Sequence, residues 1–254
     1  MLILQLTDFH VTRAGARLAG VDTRAAFSRL MDRVARLQPR PDLILVSGDV
    51  AETGADEEYE WAAAGLHALG IPFLVMPGNH DLREPMRRAF RAETGVEPEH
   101  LGFSHNMGGI RVIGLDTLVE GQAHGALFAA QLAWLELELE RAGVEPVLIA
   151  MHHPPFETGL PAMDEIGLLE GGEAFARMLV GRKNVTGIVC GHVHRAIYGS
   201  FVGIPTRIAP SASHQFALDF ERAGHFSIVQ EAPQLALHRV SPEDAVMVSY
   251  LVSM

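Results

Sequence analysis

The chain has 254 residues, 48% of them hydrophobic, which is enough for one large α/β domain or two small ones around a sizeable core. Its formal net charge of −11, without runs of like charge, argues against broad nucleic-acid binding, which depends on neutralising phosphates with Lys and Arg. One cysteine, Cys190, excludes an internal disulfide and fits a reducing cytoplasm.

Leu2 to Thr7 reads as a first strand. It reaches Asp8 without a basic n-region, unlike a signal peptide, and no later apolar run approaches the ~20 residues of a membrane span. A soluble cytoplasmic protein, without a membrane or nucleic-acid polymer as partner, is therefore expected. Thr23 to Leu37 has helical apolar spacing (Phe27, Leu30, Met31, Val34, Leu37), with Asp22 as cap and Pro39 beyond its end. Leu43 to Ser47 is a strand apolar enough to be buried on both faces. Asp56 to Leu69 reads as a helix stopped by Gly70, Ile71 to Met76 as a strand, and Glu84 to Ala92 as a helix with Pro85 in its first turn.

This alternation predicts parallel pairing in the first third of the chain. Leu101 to His105 and Ile110 to Asp116 then suggest a hairpin around Asn106-Met107-Gly108-Gly109. A helix over Ala129 to Arg141, a strand over Val147 to Met151, a helix over Glu173 to Val180 and a strand over Val185 to Cys190 follow. Phe156 to Gly172 reads as a long loop, a candidate lid or wall of a binding pocket. After His194 short strands are expected over Ala196 to Val202, Thr206 to Ala209, Phe226 to Gln230 and Leu235 to Val240. The apolar end from Val246 to Val252 adds a strand or makes a dimer contact, so a homodimer is a possible partner state.

Five polar blocks punctuate these elements: Asp8-Phe9-His10, Gly48-Asp49, Gly78-Asn79-His80-Asp81, His152-His153 and Gly191-His192-Val193-His194. Almost all directly follow a buried strand, where open α/β folds build their sites. Singly, D-x-H or G-D reads as a turn or capping residue. In extended backbone, residues i and i+2 share a face, so Asp8 with His10 and His192 with His194 could each reach one ion. By the same rule only one of His152 and His153 is expected to face it. Asn79 can offer a neutral amide oxygen to a mixed oxygen–nitrogen site.

Taken together and in this order, the blocks resemble the calcineurin-like metallophosphoesterase superfamily, with its D-x-H, G-D, G-N-H-D/E, H and G-H-x-H pattern over roughly Leu2 to His194. Met151-His152-His153-Pro154-Pro155, Pro161-Ala162-Met163-Asp164, Gly191-His192-Val193-His194-Arg195 and Pro210-Ser211-Ala212-Ser213-His214-Gln215 are similar to bacterial class III cyclic-nucleotide phosphodiesterases and their glycerophosphodiesterase relatives. The resemblance implies an α/β fold, a four-layer αββα sandwich of two mixed sheets with helices outside, formed by residues 1–254 as one domain. It also implies two divalent or trivalent metal ions, drawn from Fe, Mn, Zn or Co. One would be held by Asp8, His10, Asp49 and His194, the other by Asp49, Asn79, His152 and His192. A metal-activated water would attack a small phosphodiester such as a 3′,5′-cyclic nucleotide or a glycerophosphodiester.

On the same resemblance His80 orients the phosphate or protonates the leaving alkoxide, with Asp81 holding its ring, and His153 gives support. Asn79, His80, His194 and His214 are the expected substrate contacts. His67, His100, His105, His124, His225 and His238 are expected at surface or partly buried positions, and Cys190 as an inert core thiol. Two other readings stand beside this one. A phosphomonoesterase or phosphoprotein phosphatase is disfavoured because Gly48-Asp49-Val50-Ala51-Glu52 lacks the Asp-Arg such enzymes carry. A non-catalytic protein-binding scaffold is disfavoured because no ligand position is lost.

Overall fold

Side chains alternate between the two faces of a strand, and here both faces of most strands are apolar, so each sheet must be covered twice. The computed structural model describes residues 1–254. In chain order the elements are β1 (Leu2–Leu6), α1 (Thr23–Ala35), β2 (Leu43–Ser47), α2 (Asp56–Ala68), β3 (Phe73–Met76), α3 (Arg83–Ala89), β4 (Phe103–Met107) and β5 (Ile110–Leu115). Then come β6 (Gly125–Ala126), α4 (Ala129–Ala142), β7 (Val147–Met151), α5 (Pro161–Asp164), β8 (Leu168–Glu170), α6 (Gly172–Leu179) and β9 (Val185–Cys190). The last part holds β10 (Ile197–Phe201), β11 (Ile204–Ile208), β12 (Gln215–Phe216), β13 (Ile228–Val229), β14 (Gln234–Ser241) and β15 (Val246–Ser253).

A five-stranded sheet has the order β15-β14-β1-β2-β3 and a six-stranded sheet the order β10-β11-β9-β7-β5-β4. Both are mixed: β1, β2 and β3 run parallel, as do β5, β7, β9 and β11, whereas β14, β15, β4 and β10 pair antiparallel with their neighbours. Alternation sorts the core into three layers. Ile3, Leu43, Leu45 and Met76 of one sheet meet Val112, Leu148, Ala150 and Val189 of the other. Leu4, Ile44 and Val46 point outward onto Phe27, Leu30, Ala62 and Leu66 of α1 and α2. Ile113, Ile149 and Met151 point outward onto Leu135, Leu139, Phe175 and Leu179 of α4 and α6. The result is the αββα sandwich, and no helix is long and apolar enough to cross a membrane.

Asp22 caps α1 as its sequence suggests, its carboxylate accepting from Ala25 N at 2.9 Å. The apolar C-terminus adds a strand, with β15 pairing along its whole length with β14. Two expectations need correction. Phe156 to Gly172 is not a plain loop: it holds α5 and the short β8, which pairs with β6. Asp164 ties this excursion by accepting from Thr158 N at 2.7 Å and Gly159 N at 2.9 Å. The expected strand over Phe226 to Gln230 shrinks to β13, because its partner β12 is only two residues long.

His238 and His100 are also misplaced by the surface expectation, being only 1% and 6% exposed. His238 is affordable in the core because its polar atoms are paired. Gln5 Nε2 donates to Ser47 Oγ and to the Cys190 carbonyl, both at 2.8 Å, so Gln5 Oε1 is left to accept from His238 Nε2 at 3.0 Å. The other ring nitrogen of His238 then accepts from the Ser249 hydroxyl at 2.8 Å. This chain of side chains joins β14, β1, β2 and β9 beneath the strand ends.

Candidate metal centre

The C-terminal ends of β1, β2, β7 and β9 lie side by side on one rim, and the loop after β3 joins them. Backbone bonds continue past the strands: Asp8 N donates to the Gly48 carbonyl, His10 N to Asp49 O and Val11 N to Val50 O, each at 3.0 Å. The side chains do not converge through extended i, i+2 geometry, as the spacing suggested. Asp8, His10, Asp49, His192 and His194 have φ of 53°, 47°, 51°, 71° and 58°, all left-handed. Such backbone costs on the order of 1–3 kcal/mol per residue and survives only where the surroundings over-determine it. Close approach explains the glycine before Asn79. A Cβ on Gly78 would overlap Asp49 Oδ1 and stand 2.7 Å from His152 Cε1.

All seven expected ligands meet here, and all except Asn79 are nearly or fully buried. Donor atoms of Asp8, His10, Asp49 and His194 lie within 4.8 Å of one another. Asp49 Oδ2 stands 3.5 Å from His10 Nε2 and 3.4 Å from His152 Nε2, so one carboxylate faces both halves of the site. Asn79 Oδ1 lies 3.2 Å from His152 Nε2 and 3.0 Å from His192 Nδ1.

The imidazoles are oriented from behind. His10 Nδ1 donates to Glu52 Oε2 at 2.8 Å, His152 Nδ1 to the Ser47 carbonyl at 2.8 Å, and His194 Nδ1 to the His214 carbonyl at 3.1 Å. Each ring therefore aims its Nε2 inward, the arrangement that orients a metal-binding histidine. Burial, opposed in part by the Asp49 carboxylate, keeps the His10 pKa well below the usual imidazole value. Burial, reinforced by His153 and His152, does the same to His192. At His152 burial also works against the proton, but the Asp49 carboxylate outweighs it and pushes the pKa up to about 9.

Three observations test whether a cation fits these donors. Asp8 Oδ2 and His192 Nε2 are buried without any hydrogen-bond partner, a costly state for a protein to keep. His10 Nε2 and His194 Nε2 face each other at 3.0 Å although both Nδ1 hydrogens are committed elsewhere. Oxygen and imidazole donors of this mix suit Fe, Mn, Zn or Co. The residues fit two metal ions.

The neighbouring residues divide by role. His80 stands at the mouth, its Nδ1 donating to the Glu52 carbonyl at 3.1 Å. Burial lowers the His80 pKa, but Asp49 and Glu52 more than compensate and raise it. The expected hold of Asp81 on this ring is corrected. Asp81 is buried, and its carboxylate accepts from Val50 N, Ala51 N, Gly78 N and the Tyr59 hydroxyl at 3.2, 3.0, 2.9 and 3.1 Å. It thus ties the Gly48 and Gly78 turns together. Burial, with Asp49 nearby, raises its pKa to about 6.

Glu52 takes the place at His80 that Asp81 was given, with Oε2 3.5 Å from His80 Nδ1. The sequence reading missed it. The available signal was an acid three residues after Asp49, on the same strand exit. His153 stays in support: its Nδ1 accepts from Thr117 Oγ1 at 2.7 Å and its Nε2 donates to the Ala123 carbonyl at 3.1 Å. His214 does reach the site, its ring 4.5 Å from that of His194 and 5.2 Å from that of His10. Cys190 is buried, and burial pushes its thiol pKa far up, as an inert core thiol requires.

Known proteins resemble this chain in sequence and in fold. The profile described as calcineurin-like phosphoesterase matches residues 1–196. A probable glycerophosphodiester phosphodiesterase, GpdQ, of Arcobacter nitrofigilis is 35% identical over 94% of this chain and 88% of its own length. The 3′,5′-cyclic adenosine monophosphate phosphodiesterase CpdA of Pseudomonas aeruginosa is 34% identical over 85% of this chain and 78% of its own. Among solved structures, a dimetal phosphatase from Danio rerio superposes with a TM-score of 0.70 at 14% identity, covering 99% of this chain and 95% of that one. At that identity the likeness concerns the fold.

Proposed function

The chain belongs to the calcineurin-like phosphoesterase family, and from that premise we propose that it is a metal-dependent phosphodiesterase acting on small diesters. One ion would be held by Asp8, His10, Asp49 and His194, the other by Asp49, Asn79, His152 and His192. Two ions so held supply a water nucleophile at neutral pH and charge to match the phosphoryl oxygens. The observation that carries the reading is the convergence of seven donors on one rim, with Asp8 Oδ2 buried and unpaired and His10 Nε2 facing His194 Nε2 at 3.0 Å.

The remaining work falls to side chains. Asp49 fixes the loop after β3 by accepting from His80 N at 2.9 Å. Glu52 holds the His10 ring and stands beside His80, so binding and proton transfer share one orienting group. With its Nδ1 committed to the Glu52 carbonyl, His80 presents Nε2, the atom that protonates the leaving alkoxide. Asn79, His80, His194 and His214 surround the place of the phosphate, and His214, whose pKa burial and then His194 press down to about 3, stays neutral there. The curated relatives include named glycerophosphodiesterases and cyclic-nucleotide phosphodiesterases, and both substrate types fit one phosphate between organic groups.

The test is a substrate panel under defined Mn²⁺: cyclic AMP, glycerophosphodiesters, bis(p-nitrophenyl) phosphate and phosphomonoesters, with bound metal measured alongside. Diester hydrolysis that disappears with chelation and returns with metal is expected. A clear preference for monoesters, or full activity after metal depletion, overturns the reading.

A further inference from the structure

A cleft of about 300 Å³ opens beside the metal centre, and its two sides differ in kind. One side is the set of imidazoles and carboxylates described above. The other is carbon: Leu18, Met163, Ile166, Phe216, Phe226 and Ile228. These come from separate excursions, Met163 and Ile166 from the segment around α5, and the last three from the hairpin of β12 and β13. We propose that this wall binds a flat, uncharged group carried by the substrate's esterified alcohol, a nucleobase or other aromatic ring, and that Phe216 and Phe226 are specificity-determining residues. The inference rests on the phosphodiesterase reading and chooses within it.

The first argument is charge. No Lys or Arg lines the cleft. A second phosphate on the substrate would find no cation there, which disfavours nucleoside polyphosphates and favours one phosphate on an otherwise neutral molecule. The side chains of the wall offer no donor or acceptor to glycerol hydroxyls laid against them, and hydroxyls buried without partners cost binding energy.

The second argument is shape. The ring of Phe216 lies 4.5 Å from that of His194, tilted by 34°, and the ring of Phe226 lies 5.5 Å from Phe216. An aromatic series thus runs outward from a candidate ligand to the rim. Phe226 leaves 44% of its surface open, which a ring laid against it would cover. The two Phe rings do not amount to a cage for a quaternary ammonium, because the cleft's carboxylates, Asp49 and Glu52, already face imidazoles.

The third argument is that the wall is held in place before any ligand arrives. Arg195, next to His194, donates from Nη1 and Nη2 to Glu231 at 2.7 and 2.9 Å and from Nε to the Phe216 carbonyl. Glu231 N donates to Gln215 Oε1 at 2.9 Å, and Ala217 N to Ser227 O at 2.8 Å. Such prior fixing spares the ordering cost of binding.

The experiment compares kcat/KM for 3′,5′-cyclic AMP and for sn-glycero-3-phosphocholine on the Mn²⁺-loaded protein, in the wild type and in Phe216→Ala, Phe226→Ala and Phe226→Leu. Phe220→Ser, 64% exposed on the same hairpin and outside the cleft, is the control. Binding of adenosine, which has no phosphate, is followed by calorimetry in parallel. The wild type should prefer cyclic AMP, and Phe226→Ala should lower that preference and weaken adenosine about tenfold, with Phe226→Leu between. The control should keep the wild-type ratio. Equal ratios in the wild type and the Phe variants, preference for glycerophosphocholine, or no adenosine binding to the wild type each overturn the proposal. If no diester is hydrolysed, the phosphodiesterase reading fails separately, and the adenosine measurement still decides the wall.

Discussion

The metal centre and the apolar wall beside it are built by opposite means. The centre sits at strand ends, is almost wholly buried, and is fixed by backbone: rungs that continue the β1–β2 ladder, and five residues forced into left-handed φ. The wall sits on three excursions, is half open, and its hairpin is fixed by a few side chains, chiefly Arg195 and Gln215. The contrast teaches where tolerance lies. Geometry that must hold two ions cannot drift, whereas a surface that selects among ester groups can be re-cut without disturbing the sheets.

The contrast is broken most severely at Asp49. Asp49→Ala removes the carboxylate that faces both halves of the centre and the acceptor of His80 N. Activity should fall by about a thousandfold or more, with at least one equivalent of metal lost on elemental analysis. Retention of both ions would show that the other donors suffice. His80→Ala comes next, with an expected loss of about a hundredfold. Both metals should stay bound, and the loss should be greatest for diesters with poor leaving groups. An equal loss for good and poor leaving groups would assign His80 to phosphate positioning instead.

The difference between the two regions also explains what could be read in the sequence. Runs such as Leu43-Ile44-Leu45-Val46-Ser47 announce buried strands because both faces need apolar residues. Asp8, Asp49 and His152 stand out as polar residues directly after such runs. The backbone that aims them is not legible, since left-handed φ at Asp or His leaves no compositional trace. Asp81 was misassigned because its partners are amides 30 and 31 residues back in the chain as well as in its own turn. Burial of His238 depends on Gln5, 233 residues away. The wall was only half visible. The segment after Pro155 stands out by its length, but a hairpin with two-residue strands has too few positions for alternation to register.

His238 gives a smaller effect that separates the sheets from the wall. Burial, and then Arg207, lowers its pKa to about 4, against about 6.5 in an unfolded chain. In the fold it stays neutral, so below pH 6.5 the unfolded chain binds a proton that the folded one refuses. Stability contributed here is full above pH 6.5 and falls as pH drops toward 4, by about 2 kcal/mol between pH 7 and pH 5. Urea midpoints should fall more steeply toward pH 5 in the wild type than in His238→Gln, by about this amount, and the substitution should leave adenosine binding at pH 7 unchanged. An unaltered slope would mean that the loss on acidification arises elsewhere.

The finest test is Arg195→Ala. Arg195 lies one residue from His194, yet its guanidinium serves the wall, through Glu231 and the Phe216 carbonyl. Glu231 is largely exposed, so the bidentate pair is worth about 1 kcal/mol, which corresponds to roughly fivefold. That loss should appear as a higher KM for cyclic AMP, with kcat within about twofold and metal content unaltered, because the variant loosens a surface and removes no donor. Arg195→Lys should rescue little, since an ammonium cannot reproduce the planar two-pronged contact with a carboxylate. A parallel fall in kcat and bound metal would give a different picture: the hairpin would then brace His194 itself, and the wall and the centre would be one mechanical unit.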